Sequence, residues 1–408
     1  MQRADEILES YNQKDREMRS KLPVPEVQAF SPCTFDQIGW PHSVTTAADL
    51  VRYADWCNHP GAHDYFANPP YLPTQCARLL FSPAEATLLR RVSGAVGDFT
   101  RALGREVRPA LNHVAQIGPF RIMMEIKRRL GLDRLTIFDV GAGSGYQSAL
   151  LSLAGNRTLL TDNTQGLYLF QSMLMKACQA GKVRDWLIDG PPPGPLDLDV
   201  HMIPWWEYLG LRHSAHSDVD IFFCNNNLGE MNYGAAAFTA YLARQLMARS
   251  QVRMFFFTCL GTPKHSSIEM IDELLRRAGF VNVVRTPFWA YIPQGHSLPQ
   301  GLFDFADNIP TWGLAKGDGL LTVRDVVDAE PDTLPPELDF VAFTRVFNIK
   351  KYLFEEVESA SSEEPADISC VPEKPPTFSG SDNLRPRFFR RVAKAYAGLK
   401  RFRASKGV

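Results

Sequence analysis

The stretch Ile137–Gly145 constrains the fold of this 408-residue chain more than any other part of its sequence. It reads Ile-Phe-Asp-Val-Gly-Ala-Gly-Ser-Gly, and it continues an apolar run that begins at Leu135. An unbroken apolar run of this kind is typical of a strand that is buried on both faces. The helical pattern of Tyr146–Ala154 follows directly. We therefore predict a strand, a glycine turn and a helix whose N-terminal backbone amides can approach a ligand closely.

Short apolar runs and helical patterns alternate from Phe120 to Phe347, which predicts a parallel sheet with helices on both faces. The fold class that we expect is α/β, doubly wound and mostly parallel. The expected strands are Leu135–Val140, Arg157–Thr161, Asp199–Ile203, Val219–Cys224, Arg253–Cys259, Val281–Arg285 and Phe340–Phe347. The stretch Thr286–Asp339 reads as a long loop-rich segment between the last two strands.

Four regions of the chain differ in composition. Residues 1–117 begin with a charged helix and continue with sequence rich in Pro, His and aromatic residues, which predicts a mostly helical N-terminal cap without strands. Residues 118–356 carry the expected sheet. Residues 357–384 are rich in acidic residues, Ser, Pro and Gly, which predicts a disordered linker. Residues 385–408 form a basic tail.

The basic tail makes the distribution of charge uneven. The chain has 44 basic and 45 acidic residues, so its net charge of −1 gives no reason to expect a nucleic-acid partner. Residues 385–408 contain nine basic residues and no acidic one, which leaves a net charge of −10 on the rest. Apolar side chains in residues 386–403 fall near one helical face, a pattern that suits a helix lying on an anionic membrane. A solvated tail, or a helix docked on the acidic body, is the alternative.

The cysteines and the N-terminus indicate where the protein works. Seven cysteines are scattered through the chain without a Cys-x-x-Cys pair, which predicts free thiols in a reducing compartment. Met1–Leu22 contains no apolar segment typical of a signal peptide, and the longest apolar runs are far shorter than the roughly 20 residues that a membrane span needs. We expect a cytoplasmic protein, peripheral on the inner membrane face if the tail binds lipid.

The spacing of the glycines distinguishes between two classes of nucleotide-binding fold. A dinucleotide fingerprint, Gly-x-Gly-x-x-Gly, would need glycine at position 146, where this chain has Tyr146. Asp139 instead completes the pattern Asp-x-Gly-x-Gly-x-Gly. This pattern resembles the first motif of the Rossmann-like, class I S-adenosylmethionine-dependent methyltransferases. Asp162 closes the second strand 21 residues after Gly141, where a carboxylate can accept hydrogen bonds from ribose hydroxyls.

Further segments resemble one branch of that superfamily, the sugar O-methyltransferases of bacterial surface-polysaccharide synthesis. The resemblance covers residues 120–285 and rests on Glu125–Gly145, Leu159–Phe170, Met202–Trp206 and Asp220–Met231. The chain departs from the branch at residues 225–227, which are all Asn where a His is expected beside the Asn. The resemblance implies a seven-stranded methyltransferase sheet and S-adenosylmethionine as cofactor.

The resemblance and the strand ends together define candidate site residues. The expected cofactor-binding residues are Asp139, Gly141, Gly143, Gly145, Asp162, Trp205 and Asn225. Methyl transfer to oxygen needs a group that takes the proton of the acceptor hydroxyl. The expected catalytic residues are Glu230, His265 and Asn227, with Lys264 beside them after the fifth strand. Asparagine side chains are also suitable partners for sugar diols, because each amide both donates and accepts hydrogen bonds.

Each candidate has an ordinary structural alternative. Glu230 could be a carboxylate at a helix start, and His265 a solvated loop histidine; for His296 we favour the loop histidine. If Trp205 and Trp206 continue a strand, alternation puts one on each face, but both could lie in the core. His-rich segments at residues 59–64 and 213–220 match no established ligand spacing, so we expect no metal.

The sequence thus favours an S-adenosylmethionine-dependent O-methyltransferase that acts on a sugar or glycoconjugate hydroxyl. The acceptor would be a small molecule or a glycan, without a nucleic-acid partner. Two alternatives remain: a methyltransferase for a small secondary metabolite, and a methyltransferase-fold module that binds without catalysing.

Overall fold

The structure is a computed structural model. It describes residues 4–21, 44, 46, 48–51, 54, 79–109, 112–214, 216, 218–225, 227–258, 267–285, 288–306 and 319–327. The helices are α1 (Ala4–Lys21), α2 (Pro83–Ala102), α3 (Ile117–Arg129), α4 (Tyr146–Leu153), α5 (Gln165–Cys178), α6 (Trp205–Gly210), α7 (Tyr233–Leu246), α8 (Ile268–Arg277) and α9 (Val323–Val326). The strands are β1 (Leu80–Phe81), β2 (Thr136–Val140), β3 (Arg157–Asp162), β4 (Val183–Asp185), β5 (Val200–Pro204), β6 (Ile221–Phe223), β7 (Met254–Phe257), β8 (Phe280–Val284), β9 (Trp289–Pro293) and β10 (Leu321–Thr322).

Eight of these strands form one sheet in the order β4-β5-β3-β2-β6-β7-β9-β8. All neighbours from β4 to β7 pair in parallel, while β9 is antiparallel to both β7 and β8. Every residue of β2, β5, β6 and β7 is buried, as expected for strands covered by helices on both faces. The doubly wound, mostly parallel α/β fold class is therefore confirmed.

The strand order reverses at β2. From β2 the chain forms β3 and then the edge strand β4, inserts β5 between them, and returns to place β6 on the other side of β2. In open α/β sheets, the crevice at such a switch point, beyond the carboxyl ends of the strands, is where ligands bind. The glycine turn after β2 and the asparagines after β6 both lie at this crevice.

The strand β9 corrects the prediction of a loop over residues 286–339. Trp289–Pro293 pairs with β7 on one edge and β8 on the other. Its side chains are buried on both faces, so its sequence lacks the alternation of a half-buried strand. Its closing proline and the proline at position 287 give it the composition of a loop. The strand that we predicted at Phe340–Phe347 lies outside the described residues.

Two other pairings depart from the prediction. The eight described strands of the sheet are six of the seven expected, together with β9 and the edge strand β4. β4 was missed because its short sequence Val-Arg-Asp contains no apolar run, although it pairs with β5. In the N-terminal cap, where no strand was expected, β1 pairs antiparallel with β10 in a two-stranded ribbon. Arg121 supports this ribbon by donating a hydrogen bond to the carbonyl of Leu80 and forming an ion pair with Glu85.

Candidate functional site

The glycine turn has a backbone that only glycine adopts easily. Gly141, Gly143 and Gly145 have φ angles of +66°, +58° and +73°, in the left-handed region that side-chain-bearing residues avoid. Gly145 is also the N-cap residue of α4, directly before its first residue. The predicted sequence of strand, glycine turn and helix is therefore confirmed.

The three glycines have different surroundings. A Cβ atom on Gly141 would collide with the side-chain amide of Asn227, and one on Gly145 would lie 3.0 Å from Cγ of Gln171. A Cβ on Gly143 would meet no atom within 4 Å. Two glycines are thus needed for packing inside the protein, whereas Gly143 borders open space that a ligand can enter.

Three side chains from three different elements hold the turn in place. Asp162, the last residue of β3, accepts a hydrogen bond from the backbone N–H of Gly143 at 3.1 Å. Gln171 of α5 donates through Nε2 to the carbonyl oxygen of Gly143 at 2.5 Å. Asn227, after β6, donates through Nδ2 to the carbonyl oxygen of Val140. The turn is therefore pre-organised before any ligand binds.

Two buried acids, Asp139 and Asp162, lie beside the turn and gain negative charge as the pH rises through about 7. Asp139 is 2% exposed and accepts a hydrogen bond from the Ser148 hydroxyl at 2.8 Å. Burial raises the pKa of Asp139 to about 7, the Ser148 bond lowers it, and the nearby Asp162 carboxylate also raises it. Burial likewise raises the pKa of Asp162 to about 7, against the lowering effect of the Thr164 and Gly143 backbone amides.

This electrostatic arrangement discriminates between ligands. A pyrophosphate would need the free N–H of Gly143, which Asp162 already occupies, and it would be repelled by two carboxylates. A cationic ligand would be attracted by the same carboxylates and would favour their ionised forms. The turn therefore suits a positively charged ligand better than a dinucleotide.

The residues expected after β6 do come to the crevice. Asn225 accepts hydrogen bonds through Oδ1 from the backbone N–H and the hydroxyl of Thr258, at 2.9 and 2.7 Å. Asn227 and Glu230 are buried, at 8% and 7% exposure. The Oδ1 atom of Asn227 is buried without a hydrogen-bond partner. The backbone N–H of Glu230 donates to the carbonyl of Asn227, so both belong to one tight turn.

The two tryptophans after β5 follow the alternative in which both lie in the core. Trp205 begins α6, so the alternation of a strand does not separate Trp205 from Trp206, and both are buried, at 1% and 3% exposure. The rings meet edge to face at 5.7 Å. Trp205 donates through its indole N–H to Asp15 of α1 at 2.8 Å. This wall of the crevice is thus already lined by the N-terminal helix.

The remaining candidates lie elsewhere. Lys264 and His265 fall outside the described residues, as do the histidines of residues 59–64. His296 follows the end of β9 that pairs with the start of β8, so it lies at the opposite edge of the sheet, as favoured for an ordinary loop histidine. Within the described part of the chain, no group of three or more His, Cys, Asp or Glu side chains could hold a metal ion. The helices in that part also include none that is long and apolar enough to span a membrane.

Sequence reasoning missed the roles of Gln171 and of α1. Gln171 belongs to a Tyr-Leu-Phe-Gln segment that already resembled the methyltransferase family, and its period on α5 puts it on the buried face. The resemblance therefore drew attention to Gln171, but it did not indicate the hydrogen bond to Gly143. The docking partners of α1 are about 150 to 190 residues away in sequence, and no local pattern predicts them.

Comparison with known proteins gives matches among solved structures alone. No protein-family model and no curated protein matches the chain. A TehB-like SAM-dependent methyltransferase from Corynebacterium glutamicum is 14% identical, with a TM-score of 0.30 and coverage of 48% of this chain and 93% of that one. Magnesium protoporphyrin IX methyltransferase from Synechocystis PCC 6803, solved with bound SAM, is 16% identical, with a TM-score of 0.29 and coverage of 51% and 94%. These likenesses are too distant to establish a common activity.

Proposed function

We propose that this chain is an S-adenosylmethionine-dependent O-methyltransferase whose acceptor is a hydroxyl of a sugar or glycoconjugate. The observation that carries the proposal is the glycine turn at the switch point, where Gly143 borders open space beside the buried carboxylates of Asp139 and Asp162. A cationic sulfonium ligand fits that surface better than a phosphate-bearing one. The Asp-x-Gly-x-Gly-x-Gly pattern supports the same cofactor.

The residues present fit this cofactor. The open face of Gly143 would accept the amino-acid portion, and Asp162 would accept hydrogen bonds from the ribose hydroxyls through its remaining lone pairs, while it keeps the Gly143 N–H. Asp139 would add negative charge beneath the turn. Gln171 and Asn227 would keep the turn in its ligand-ready shape. When bound, the cofactor supplies an electrophilic methyl group on a positively charged sulfur.

The asparagines and Glu230 support a polar, hydroxyl-bearing acceptor. Asn225 is positioned by Thr258, and its amide nitrogen can donate to an acceptor oxygen. The buried Oδ1 of Asn227 can accept from a hydroxyl. The sugar assignment rests further on the resemblance of Met202–Trp206 and Asp220–Met231 to the sugar O-methyltransferase branch.

In this reaction the protein must align the acceptor hydroxyl with the methyl group and remove the proton of that hydroxyl. The acceptor oxygen forms a bond to the methyl carbon as the carbon–sulfur bond breaks, and the hydroxyl proton passes to a base. Glu230, which belongs to the turn after β6, is the described side chain that we propose as the acceptor of that proton. His265 is the other candidate from the sequence.

Calorimetry with S-adenosylhomocysteine tests the cofactor assignment. We expect the full-length protein to bind this product, and the Asp162→Ala variant to bind it at least tenfold more weakly, because the ribose would lose its acceptor. Asp98→Ala, on the exposed side of α2, is the matched control and should bind normally. Unchanged affinity in Asp162→Ala would contradict the ribose assignment, and preferential binding of a nicotinamide dinucleotide would contradict the class of cofactor.

Incubation with labelled S-adenosylmethionine and a panel of acceptors tests the reaction. The panel should hold sugar nucleotides, lipid-linked glycans and aromatic small molecules. Label transfer to a sugar hydroxyl is the expected result. Transfer to the aromatic acceptors alone would indicate the secondary-metabolite alternative, and binding without transfer to any acceptor would indicate a non-catalytic module.

A further inference from the structure

The helix α1 packs one face against the sheet domain. Leu8 and Tyr11 are each 2% exposed on that face. On the outer face, Glu17 forms ion pairs with Lys14 and Lys21 of the same helix. The helix is therefore amphipathic, and its attachment depends on its inner face.

The inner face of α1 lies over the carboxyl ends of β3 and β5. The ring of Tyr11 lies 5.4 Å from that of Tyr168 on α5 and 5.1 Å from that of Trp206 on α6. Burial raises the pKa of Tyr11 well above its ordinary value, and the carboxylates of Asp15 and Asp162 raise it further. Tyr11 is thus enclosed between α5, which begins three residues after Asp162, and α6, which begins directly after β5.

Polar contacts fix α1 at two points. Gln165, the first residue of α5, donates through Nε2 to Oδ1 of Asn12 at 2.8 Å and to the carbonyl of Val44 at 3.0 Å. Asp15 accepts the indole N–H of Trp205, and the guanidinium of Arg19 lies 5.0 Å from the centre of the same ring. Gln165 lies three residues after Asp162 and Trp205 directly after β5. We call the space between these two strand ends, where Asp162 would bind the ribose, the nucleoside subsite.

We propose that α1 forms the outer wall of the nucleoside subsite, and that it must separate from Trp205 and Gln165 before the cofactor enters or its product leaves. This inference rests on the proposed function. With α1 docked, Asp162 is 4% exposed and Trp205 is 1% exposed. A nucleoside approaching from solvent on this side reaches neither residue until α1 moves.

Exchange kinetics test this wall. The full-length protein would be loaded with tritiated S-adenosylmethionine and chased with excess unlabelled S-adenosylhomocysteine, and bound label would be followed by filtration. We expect the double variant Asn12→Ala/Asp15→Ala to release label at least tenfold faster than wild type. Association should also become faster, because the same motion admits the ligand; the loss of an ordinary ligand contact would not speed association.

Two variants act as controls. Glu17→Ala removes the outer ion pairs of α1 without touching its docked face, and it should exchange at the wild-type rate. Asp15→Asn keeps an oxygen acceptor for the Trp205 indole and should restore most of the slow exchange. Unchanged release in the folded double variant would overturn the inference.

Proteolysis of the wild-type protein gives a test that needs no variant. Lys14, Arg16, Arg19 and Lys21 are trypsin sites within α1. Saturating S-adenosylhomocysteine should slow cleavage at these sites at least threefold, as followed by mass spectrometry of the N-terminal peptides. Equal cleavage with and without ligand, in protein that binds the ligand by calorimetry, would overturn the wall alone. Absence of any binding to wild type would contradict the proposed function itself.

Discussion

At the residue scale, the buried acids of the glycine turn connect stability with ligand preference. Asp139 and Asp162 have pKa values raised to about 7 by burial, compared with 3.8 for an ordinary Asp. Between these values the folded protein binds more protons than the unfolded chain. Each acid therefore contributes stability that is complete below about pH 4 and is lost as the pH rises through about 7.

Because ionisation of Asp139 lowers the stability of the folded protein as the pH rises, we can predict the effect of Asp139→Asn on the cofactor-free protein. The variant cannot ionise, so its free energy of unfolding should exceed that of wild type by ~1–3 kcal/mol at pH 8, with the difference shrinking toward pH 4. Urea unfolding at pH 4, 6 and 8 measures it. Asp98→Asn, at an exposed site, is the control for loss of a carboxylate. A difference that grows as the pH falls would contradict the assigned direction.

A second prediction at the residue scale concerns Glu230. If the Glu230 carboxylate takes the proton from the hydroxyl that is methylated, Glu230→Gln should lower kcat by about 10²–10⁴-fold. This is the usual contribution of a general base. Affinity for S-adenosylhomocysteine should be unchanged, because the substitution keeps the size of the side chain. Labelled methyl transfer and calorimetry separate the two effects. Near-normal turnover would move the base role to His265, for which His265→Ala is the next variant.

At the scale of elements, α5 holds the glycine turn in place through the side-chain amide of Gln171. Gln171 is fully buried, and its Nε2 is the donor for the carbonyl of Gly143. Gln171→Leu keeps the bulk but leaves that carbonyl without this donor, which should cost about 1–3 kcal/mol of folding stability and weaken S-adenosylhomocysteine binding. Gln179→Leu, at the end of the same helix, should change neither. Thermal unfolding and calorimetry measure both, and normal values for Gln171→Leu would show that the turn needs no such clamp.

The elements of the fold differ in how far the sequence predicts them. The turn and Asp162 were found because one strand–helix–strand unit brings them together within about 20 residues, and their contact is observed at Gly143. The helical start at Trp205 and the strand Trp289–Pro293 were missed because neighbouring elements decide both. β9 exists through its pairing with β7 and β8, against a proline-rich composition.

At the scale of the whole molecule, the uneven charge predicts where the protein is found. Residues 386–403 lie outside the described part, and their role stays a prediction from sequence. The acidic body alone should be repelled by anionic lipid, so a chain ending at Asp382 should methylate a soluble acceptor normally yet lose binding to vesicles rich in anionic lipid. Binding of the full chain should fall with salt, because surface charges are screened within ~8–10 Å at physiological ionic strength. Equal co-sedimentation of the two chains would rule out a membrane tether.

The ribbon of β1 and β10 constrains the order in which the nascent chain can fold. Leu80 and Phe81 leave the ribosome about 240 residues before Leu321 and Thr322, their only strand partners in the described residues. At roughly 5–20 residues per second, that interval lasts about 10–50 s, during which the whole central sheet is synthesised. The ribbon can therefore close only after the strands of the central sheet have all been synthesised, so it forms later than the sheet's own local contacts can.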